Sequence, residues 1–242
     1  MPNNSYSFSY NNAYDSSPYI RKKQKSSIKI SLTLILIIIT AAIFLIQVIV
    51  DYVTIDKVTG FGAFTRLFSV IPSKILAGQQ LWTLITSVFL HGSVWHLLMN
   101  MISLMFIGSF LEKIIGKKRF IWLYLIAGVM GSVFYVLSAV IFHQNLDMPA
   151  LGASGAIFGV AAVLAVLTPK VPVYLMFIPI AMPLWLGVLI MLVGVWLLSA
   201  AVGLPIGNFA HLGGLIVGLI FGFYLRFKHK KKVKMLDRHF SK

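Results

Sequence analysis

The chain of 242 residues contains no cysteine and only six acidic residues. The lack of cysteine excludes disulfides, thiolate metal ligands and a cysteine nucleophile, and we expect neither a bound metal ion nor a cofactor. Charged residues make up 11% of the sequence, whereas apolar and aromatic residues make up 59%. Because a soluble domain has about 25% charged residues, a water-soluble globule is excluded.

The charge that remains is mostly of one sign. Lys and Arg number 21, and the formal net charge is +15. Such a balance is typical of proteins that bind nucleic acid, of proteins that bind an anionic membrane surface, and of multi-span membrane proteins with charged loops. The positions of the charges decide between these classes.

Apolar runs suited to crossing a membrane recur along the chain. A helix needs about 20 residues to cross about 30 Å of hydrocarbon. Six runs predict spans, at about residues 30–50, 93–111, 120–142, 153–168, 184–203 and 208–227. The apolar stretch 171–183 contains three prolines, which disrupt helix interiors. We therefore predict a single span within 171–204, which is too short for two crossings and a turn.

An even number of spans places both termini on one side. With six spans, 18 of the 21 basic residues lie on that side, and only Lys57, Arg66 and Lys74 lie on the other. Because basic residues mark the cytoplasmic side, we predict a six-helix bundle in the cell membrane with both termini cytoplasmic. The basic cluster at 228–234 then contacts lipid head groups, and no nucleic-acid partner is expected.

The chain divides into three regions. We predict a flexible polar and basic cytoplasmic tail at 1–29, a six-helix membrane domain at 30–227 and a basic cytoplasmic tail at 228–242. The outer connection 51–92 is too apolar for a free loop. We therefore predict that it is partly embedded in the membrane as short amphipathic segments.

Four polar residues lie near the outer ends of predicted spans. Spans two, four and six all run inwards from the outer face, so their first residues share one depth. Span two carries His96 and Asn100, which share a helical face, while span four opens with Ser154 and span six with His211. Because polar groups inside a membrane are costly, they mark candidate functional sites.

A serine beside a histidine has the chemistry of a nucleophile and its general base. We predict that His211 takes the hydroxyl proton of Ser154 and later protonates the leaving amine. His96, Asn100 and the backbone N–H of Ser154 are suitable donors to the oxyanion that forms. None of the six acidic residues lies in a span beside His211, so a dyad is predicted.

Small residues surround these positions. Gly152 and Gly155 leave room for a substrate carbonyl to approach Ser154. Glycines four residues apart let two membrane helices pack closely. They are Gly155 and Gly159 in span four and Gly214, Gly218 and Gly222 in span six. Phe158, one turn from Ser154, is expected to stack on the His211 ring.

Each of these features has a simpler explanation when taken alone. A Gly-x-Ser-Gly segment in a membrane helix is often a packing motif, and a lone histidine in a span is as often an ion or proton site. His96 and Asn100 also have the chemistry to cross-link helices. Their common depth on three helices favours catalysis. His91 is expected to shape the cavity mouth. The other histidines are expected to face solvent: His143, His229 and His239.

At these positions the sequence resembles the rhomboid family of intramembrane serine proteases. The matching motifs are HGSVWHLLMN at 91–100, GASG at 152–155 and AHLGG at 210–214. Glu112, Gly116 and Tyr124 are similar to the family's connection between spans two and three. The likeness covers about residues 30–227.

The resemblance implies that Ser154 is the nucleophile, His211 the base, and His96 and Asn100 part of the oxyanion site. It also implies that 51–92 is a half-submerged first loop, and that span five with 204–208 forms a lateral gate and cap. One departure is visible: Thr83 follows Trp82 where family members usually have arginine. An arginine that helps to tether the first loop is therefore missing.

We therefore expect an intramembrane serine endopeptidase. Its partners are the lipid bilayer and single-pass membrane proteins, which it cleaves in or near their transmembrane segments at the outer face. The alternative is a proteolytically inactive rhomboid-like protein that binds membrane clients. A transporter would carry internal repeats and charges near the midplane, and the sequence shows neither.

Overall fold

The computed structural model describes residues 30–175, 178–202 and 207–239, and these are mainly helical. The helices are α1 (Leu32–Thr54), α2 (Ala63–Phe68), α3 (Pro72–Leu76), α4 (Thr83–Thr86), α5 (Val94–Ser103), α6 (Ser109–Ile115), α7 (Lys117–Ile141), α8 (Ser154–Leu167), α9 (Leu184–Val202), α10 (Asn208–Lys228) and α11 (Lys230–His239). A 3-10 turn, Ser87–Phe89, follows α4, and a π-helical segment, Leu104–Gly108, joins α5 to α6.

Within the described residues, five helical segments are long and apolar enough to cross a membrane. They are Leu32–Thr54, Val94–Ile115, Lys117–Ile141, Leu184–Ala201 and Asn208–Lys228. They correspond to predicted spans one, two, three, five and six, and the chain is a helical multi-pass membrane protein. The fourth predicted span is the apolar helix α8, whose 14 residues are about 21 Å long.

The short helix α8 lies at the centre of the bundle. Every residue in it except Ser154 and Ala165 is buried, and it packs chiefly against α10 and α7. A helix that is apolar on all sides is stable only when neighbours surround it. This central position holds the first residue of α8, Ser154, against the other helices.

Glycines form the contact between α8 and α10, as the sequence predicts. A Cβ atom at Gly214 would overlap the carbonyl oxygen of Gly155, and one at Gly218 would overlap that of Gly159. A Cβ atom at Gly159 would lie 2.5 Å from the Cβ of Ala127 in α7. Because only hydrogen fits at these positions, the backbones of the two helices are in direct contact.

The carboxylate of Glu112 caps the first turn of α1. Its oxygens accept hydrogen bonds from the Ser31 hydroxyl at 2.7 Å, the Leu32 N–H at 2.9 Å and the N–H of Thr33 at 2.8 Å. The Thr33 hydroxyl also donates to it at 2.8 Å. The first N–H groups of a helix lack intrahelical partners and attract negative charge. Glu112 therefore fixes α1 to the end of the second span.

The connection between α1 and α5 is built from the short helices α2, α3 and α4. Val70 and Ala150 exchange two backbone hydrogen bonds of 2.9 and 2.8 Å, which join this connection to the segment before α8. The Trp82 indole N–H donates to the Leu67 carbonyl at 3.0 Å. Short helical segments replace a free loop here, while the partial embedding of this connection in the membrane stays a prediction.

The proline-rich stretch after α8 forms a hairpin, which the sequence does not predict. Strands β1 (Pro172–Leu175) and β2 (Ile178–Pro183) pair antiparallel, with Val173 opposite Met182 and Pro172 opposite Pro183. Proline is confined to edge strands and strand ends because it cannot donate to the ladder. In a two-stranded ribbon both strands are edges, so these prolines are tolerated.

The predicted tail 228–242 includes the helix α11, in which Val233 is buried against the bundle core. Several predicted features lie outside the described residues: the N-terminal tail 1–29, residues 204–206 of the cap predicted at 204–208, and the last residues of the C-terminal tail, 240–242.

Candidate active site

Ser154 and His211 are in direct contact. The distance from Ser154 Oγ to His211 Nε2 is 2.8 Å. Ser154 is the first residue of α8, and His211 lies in the first turn of α10. The glycine contact between these helices brings their starting ends together, so the predicted pair is assembled by backbone packing.

The His211 ring is held by packing on its flat face. It is buried, and it lies against the Phe158 ring with centroids 4.8 Å apart and an interplanar angle of 32°, as the sequence predicts. Among the described residues its Nδ1 atom has no hydrogen-bond partner. No carboxylate therefore joins the pair within the described ranges, and an aromatic contact orients the imidazole.

Gly131 and Gly155 make room for the turn that carries His211. A Cβ atom at Gly131 would lie 2.9 Å from the Ala210 carbonyl oxygen, and one at Gly155 would lie 3.2 Å from it. The start of α10 therefore fits between α7 and α8. Gly155 and Gly214, predicted as supporting residues, both serve this close approach.

The His96 ring and the Ser154 hydroxyl both lie close to Gly152. A Cβ atom at Gly152 would lie 2.7 Å from His96 Cε1, 2.9 Å from His96 Nε2 and 3.8 Å from Ser154 Oγ. Gly152 also has a φ angle of 131°, a conformation that side chains disfavour. Glycine is therefore required at 152 both for the backbone and for the imidazole.

Asn100 lies one turn after His96 on α5 and is buried. Its side-chain amide donates to the His96 carbonyl at 2.8 Å. One of its two N–H groups is thus used within the helix, and the other is the group that can serve a ligand. Ser93 Oγ accepts the His96 N–H at 3.1 Å and caps α5.

No group of three or more His, Cys, Asp or Glu side chains suitable for a metal ion occurs in the described part of the chain. The arrangement of a serine hydroxyl, an imidazole and a second imidazole instead has the chemistry of acyl transfer.

The sequence model of a known family, the Rhomboid domain, matches residues 78–228. That range holds all four polar residues of the site and more than half of the chain. The chain belongs to the rhomboid family.

Individual rhomboid relatives cover much the same region. RHOMBOID-like protein 4 of Arabidopsis thaliana is 37% identical over 162 residues, which are 63% of this chain and 36% of that protein. Rhomboid protein 1, mitochondrial, of Saccharomyces cerevisiae is 34% identical over 146 residues, 59% of this chain and 41% of that protein. The chain therefore spans less than half the length of these relatives.

One of the rhomboid relatives is named as inactive. Inactive RHOMBOID-like protein 8 of Arabidopsis thaliana is 34% identical over 153 residues, 62% of this chain and 40% of that protein. Similarity to the family therefore does not distinguish a protease from an inactive member. The distinction depends on the residues of the site.

Thr83 stands where the family resemblance led us to expect an arginine. Thr83 is fully buried, and its hydroxyl donates to the Gln80 carbonyl at 2.7 Å. The first loop is held elsewhere, because the Thr65 hydroxyl donates to Asp51 at 2.5 Å and accepts from Gln47 at 3.0 Å. Hydrogen bonds between α1 and α2 thus attach the loop.

The connection between α1 and α5 carries an ion pair. Arg66 donates to Asp56 at 2.9 Å. The N–H groups of Val58 and Thr59 also donate to this carboxylate and lower the pKa of Asp56 below its usual value.

The structure adds information about two residues near the site that the sequence analysis did not give. His91, expected at the cavity mouth, is only 1% exposed, and its ring lies 5.0 Å from the His96 ring at an angle of 66°. Gln47, which the sequence analysis missed, is buried and bonds to the backbone of His91. The sequence indicates Gln47 only by its polar side chain within the mainly apolar first span.

Proposed function

We propose that this rhomboid is an intramembrane serine endopeptidase that cleaves single-pass membrane proteins in or near their transmembrane segments. The observation that carries the proposal is the 2.8 Å contact between Ser154 Oγ and His211 Nε2. A hydroxyl is a weak nucleophile until an adjacent base accepts its proton. A packing motif alone gives no reason for this hydrogen bond.

The reaction needs only groups that the chain supplies, with water as the second substrate. Ser154 Oγ attacks the scissile carbonyl carbon while His211 Nε2 takes the hydroxyl proton. His96, Asn100 and the Ser154 N–H donate to the oxyanion of the tetrahedral intermediate. His211 then protonates the leaving amine, and the acyl group remains on Ser154. Water, deprotonated by His211, hydrolyses this ester and restores the serine.

The substrate must present an extended backbone to this site. A transmembrane helix satisfies its own carbonyls, so it must unwind before a carbonyl reaches Ser154. Segments with small, helix-destabilising residues unwind at the lowest cost. We therefore propose that such segments are the preferred cleavage sites.

We also propose six spans, with both termini in the cytoplasm and the site opening to the outer face of the cell membrane. The short helix α8 counts as the fourth span, and its length of about 21 Å is less than the roughly 30 Å of hydrocarbon. Ser154 then lies below the outer surface in a cavity that admits water. The proposed division of the chain remains a polar tail at 1–29, the membrane domain at 30–227 and a basic tail at 228–242.

Purified protein and a single-pass reporter test the activity. We expect wild-type protein to cleave the reporter and to react with a fluorophosphonate probe, which labels activated serines. Ser154→Ala should abolish both cleavage and labelling, and His211→Ala should reduce labelling to background. Thermal unfolding should show that both variants fold. Cleavage by purified Ser154→Ala, or equal labelling of wild type and His211→Ala, would contradict the mechanism.

The second candidate is a proteolytically inactive rhomboid-like protein that binds membrane clients. The similarity to Inactive RHOMBOID-like protein 8 is the observation that favours it. The same preparation separates the two functions. If the protein is inactive, wild type and Ser154→Ala should bind the reporter equally. Neither should cleave the reporter, and neither should react with the fluorophosphonate probe.

A further inference from the structure

Gln47 has every polar atom of its side chain engaged. It lies in α1, in the membrane, and is 5% exposed. Its Nε2 donates to Thr65 Oγ1 at 3.0 Å and to the His91 carbonyl oxygen at 3.1 Å. Its Oε1 accepts the His91 N–H at 3.1 Å. The amide thus holds both backbone polar groups of one residue.

The His91 carbonyl shares a peptide unit with the Gly92 N–H. A peptide unit is planar, so a bond that fixes the carbonyl direction also fixes the N–H direction. The Gly92 N–H points at Nδ1 of His96, with an N···N distance of 3.5 Å. A chain of hydrogen bonds therefore runs from Gln47 through this peptide to the His96 ring, and each bond polarises the next.

This chain selects one form of the His96 ring. In a neutral imidazole one nitrogen carries the proton and the other accepts a hydrogen bond, and the bond made by one nitrogen decides the state of the other. Since Nδ1 accepts from Gly92, Nε2 carries the hydrogen. A Cβ atom at Gly152 would lie 2.9 Å from His96 Nε2 and 3.8 Å from Ser154 Oγ, so this N–H donor and the nucleophile border the same residue.

We propose that Gln47 is a positioning residue for the oxyanion site. By clamping the His91 backbone, it keeps the Gly92 N–H on His96 Nδ1 and so keeps the Nε2–H of His96 available to the oxyanion. The inference rests on the proposed function, in which His96 is an oxyanion donor. Gln47 itself touches no substrate.

A tether without influence on His96 is the competing role. The bond from Gln47 to Thr65, which also donates to Asp51, attaches the first loop to α1. Loss of a tether alone would weaken substrate binding or stability, whatever residue stands at 96. Loss of positioning would instead slow the chemical step, and it would do so only in a protein that still has His96.

Kinetics of Gln47→Leu separate these roles. Leucine is close in size and makes no hydrogen bond. We expect kcat for a transmembrane reporter to fall about tenfold, a part of the about 100-fold that loss of a whole oxyanion donor costs, with KM within about twofold. In a His96→Ala background, Gln47→Leu should have no further effect, because interacting residues are not additive.

Thr40→Val is the matched control on the same helix. Thr40 is buried, and its hydroxyl has no partner among the described residues, so this variant should retain the wild-type kcat. An equal loss from Gln47→Leu with His96 and without it would overturn the proposal. A rise in KM with unchanged kcat would overturn it as well.

Nuclear magnetic resonance of protein with 15N-labelled histidine tests the tautomer without any need for activity. The His96 signals are assigned by their loss in His96→Ala. Wild type should show a protonated Nε2 and an accepting Nδ1, and Gln47→Leu should show a mixture of tautomers. A wild-type Nδ1–H form, or the same tautomer in both proteins, would overturn the inference. If wild type cleaves nothing, the proposed function fails while this measurement still decides the role of Gln47.

If Gln47→Leu does not fold, Gln47→Glu is the variant to measure in its place. Its carboxylate keeps an acceptor for the His91 N–H but loses the donor to the His91 carbonyl. We expect the same mixture of tautomers. A spectrum identical to that of wild type would overturn the proposal.

Discussion

The His96 ring occupies the space that a side chain at Gly152 would need. A Cβ atom there would lie 2.7 Å from His96 Cε1, closer than two carbon atoms approach without displacement. The backbone at Gly152, with φ at 131°, also disfavours any side chain. Two independent constraints thus require glycine two residues before the nucleophile.

Gly152→Ala should therefore displace His96 while leaving the fold intact. Misplacement of a catalytic group by about 1 Å costs about 100-fold in rate, so we expect reporter cleavage to fall by about that factor. The measurement is kcat on the transmembrane reporter. Gly194→Ala is the control, since a Cβ atom there meets nothing within 4 Å and the residue lies within α9. Wild-type kcat in Gly152→Ala would show that His96 has no need of this space.

The sequence predicts the site better than it predicts what supports the site. Ser154 and His211 were found because polar groups are costly in a membrane and because the order of the spans places them at one depth. The role of Gly152 was only partly predicted. Room for a substrate carbonyl was expected, whereas the structure shows that glycine also makes room for the His96 ring.

The contact between Gln47 and His91 was not predicted in the same way. Gln47 and His91 are 44 residues apart, and no periodicity relates them. The hairpin β1–β2 was missed because its prolines identify a broken helix but do not identify a partner strand. Six residues at the site could be predicted because they lie in short sequence motifs: His96, Asn100, Gly152, Ser154, Gly155 and His211. The residues that hold these six in place, such as Gln47, depend on tertiary packing.

Glu112 offers a test of stability that is separate from the site. In Glu112→Gln one of the two accepting oxygens is replaced by an NH2 group, which would face donors on α1, and the negative charge at the helix start would be lost. We expect the free energy of unfolding to fall by about 2 kcal/mol. Unfolding in mixed micelles measures it.

The neighbouring Lys113→Gln is the control for Glu112→Gln, because it also removes one charge but Lys113 is exposed. Its unfolding free energy should match that of wild type. Equal stability of Glu112→Gln and wild type would contradict the importance of the cap to α1.

His91 should make the folded protein sensitive to acid. Burial, and secondarily the nearby His96, lowers the pKa of His91 from 6.5 to about 3. In the unfolded chain His91 takes up a proton near pH 6.5. In the folded chain its burial keeps the ring neutral at that pH. The stability due to a neutral His91 is therefore complete above about pH 6.5 and is lost as the pH falls towards 3, by about 2 kcal/mol at pH 5.

His91→Phe removes this titration, and its stability relative to wild type should rise as the pH falls from 7 to 5. Unfolding free energies of both proteins across that range provide the measurement. His143→Asn, which replaces an exposed histidine, is the control for the loss of an imidazole as such. Parallel curves of unfolding free energy against pH for wild type and His91→Phe would contradict this prediction. They would show that burial of the His91 ring does not oppose its protonation.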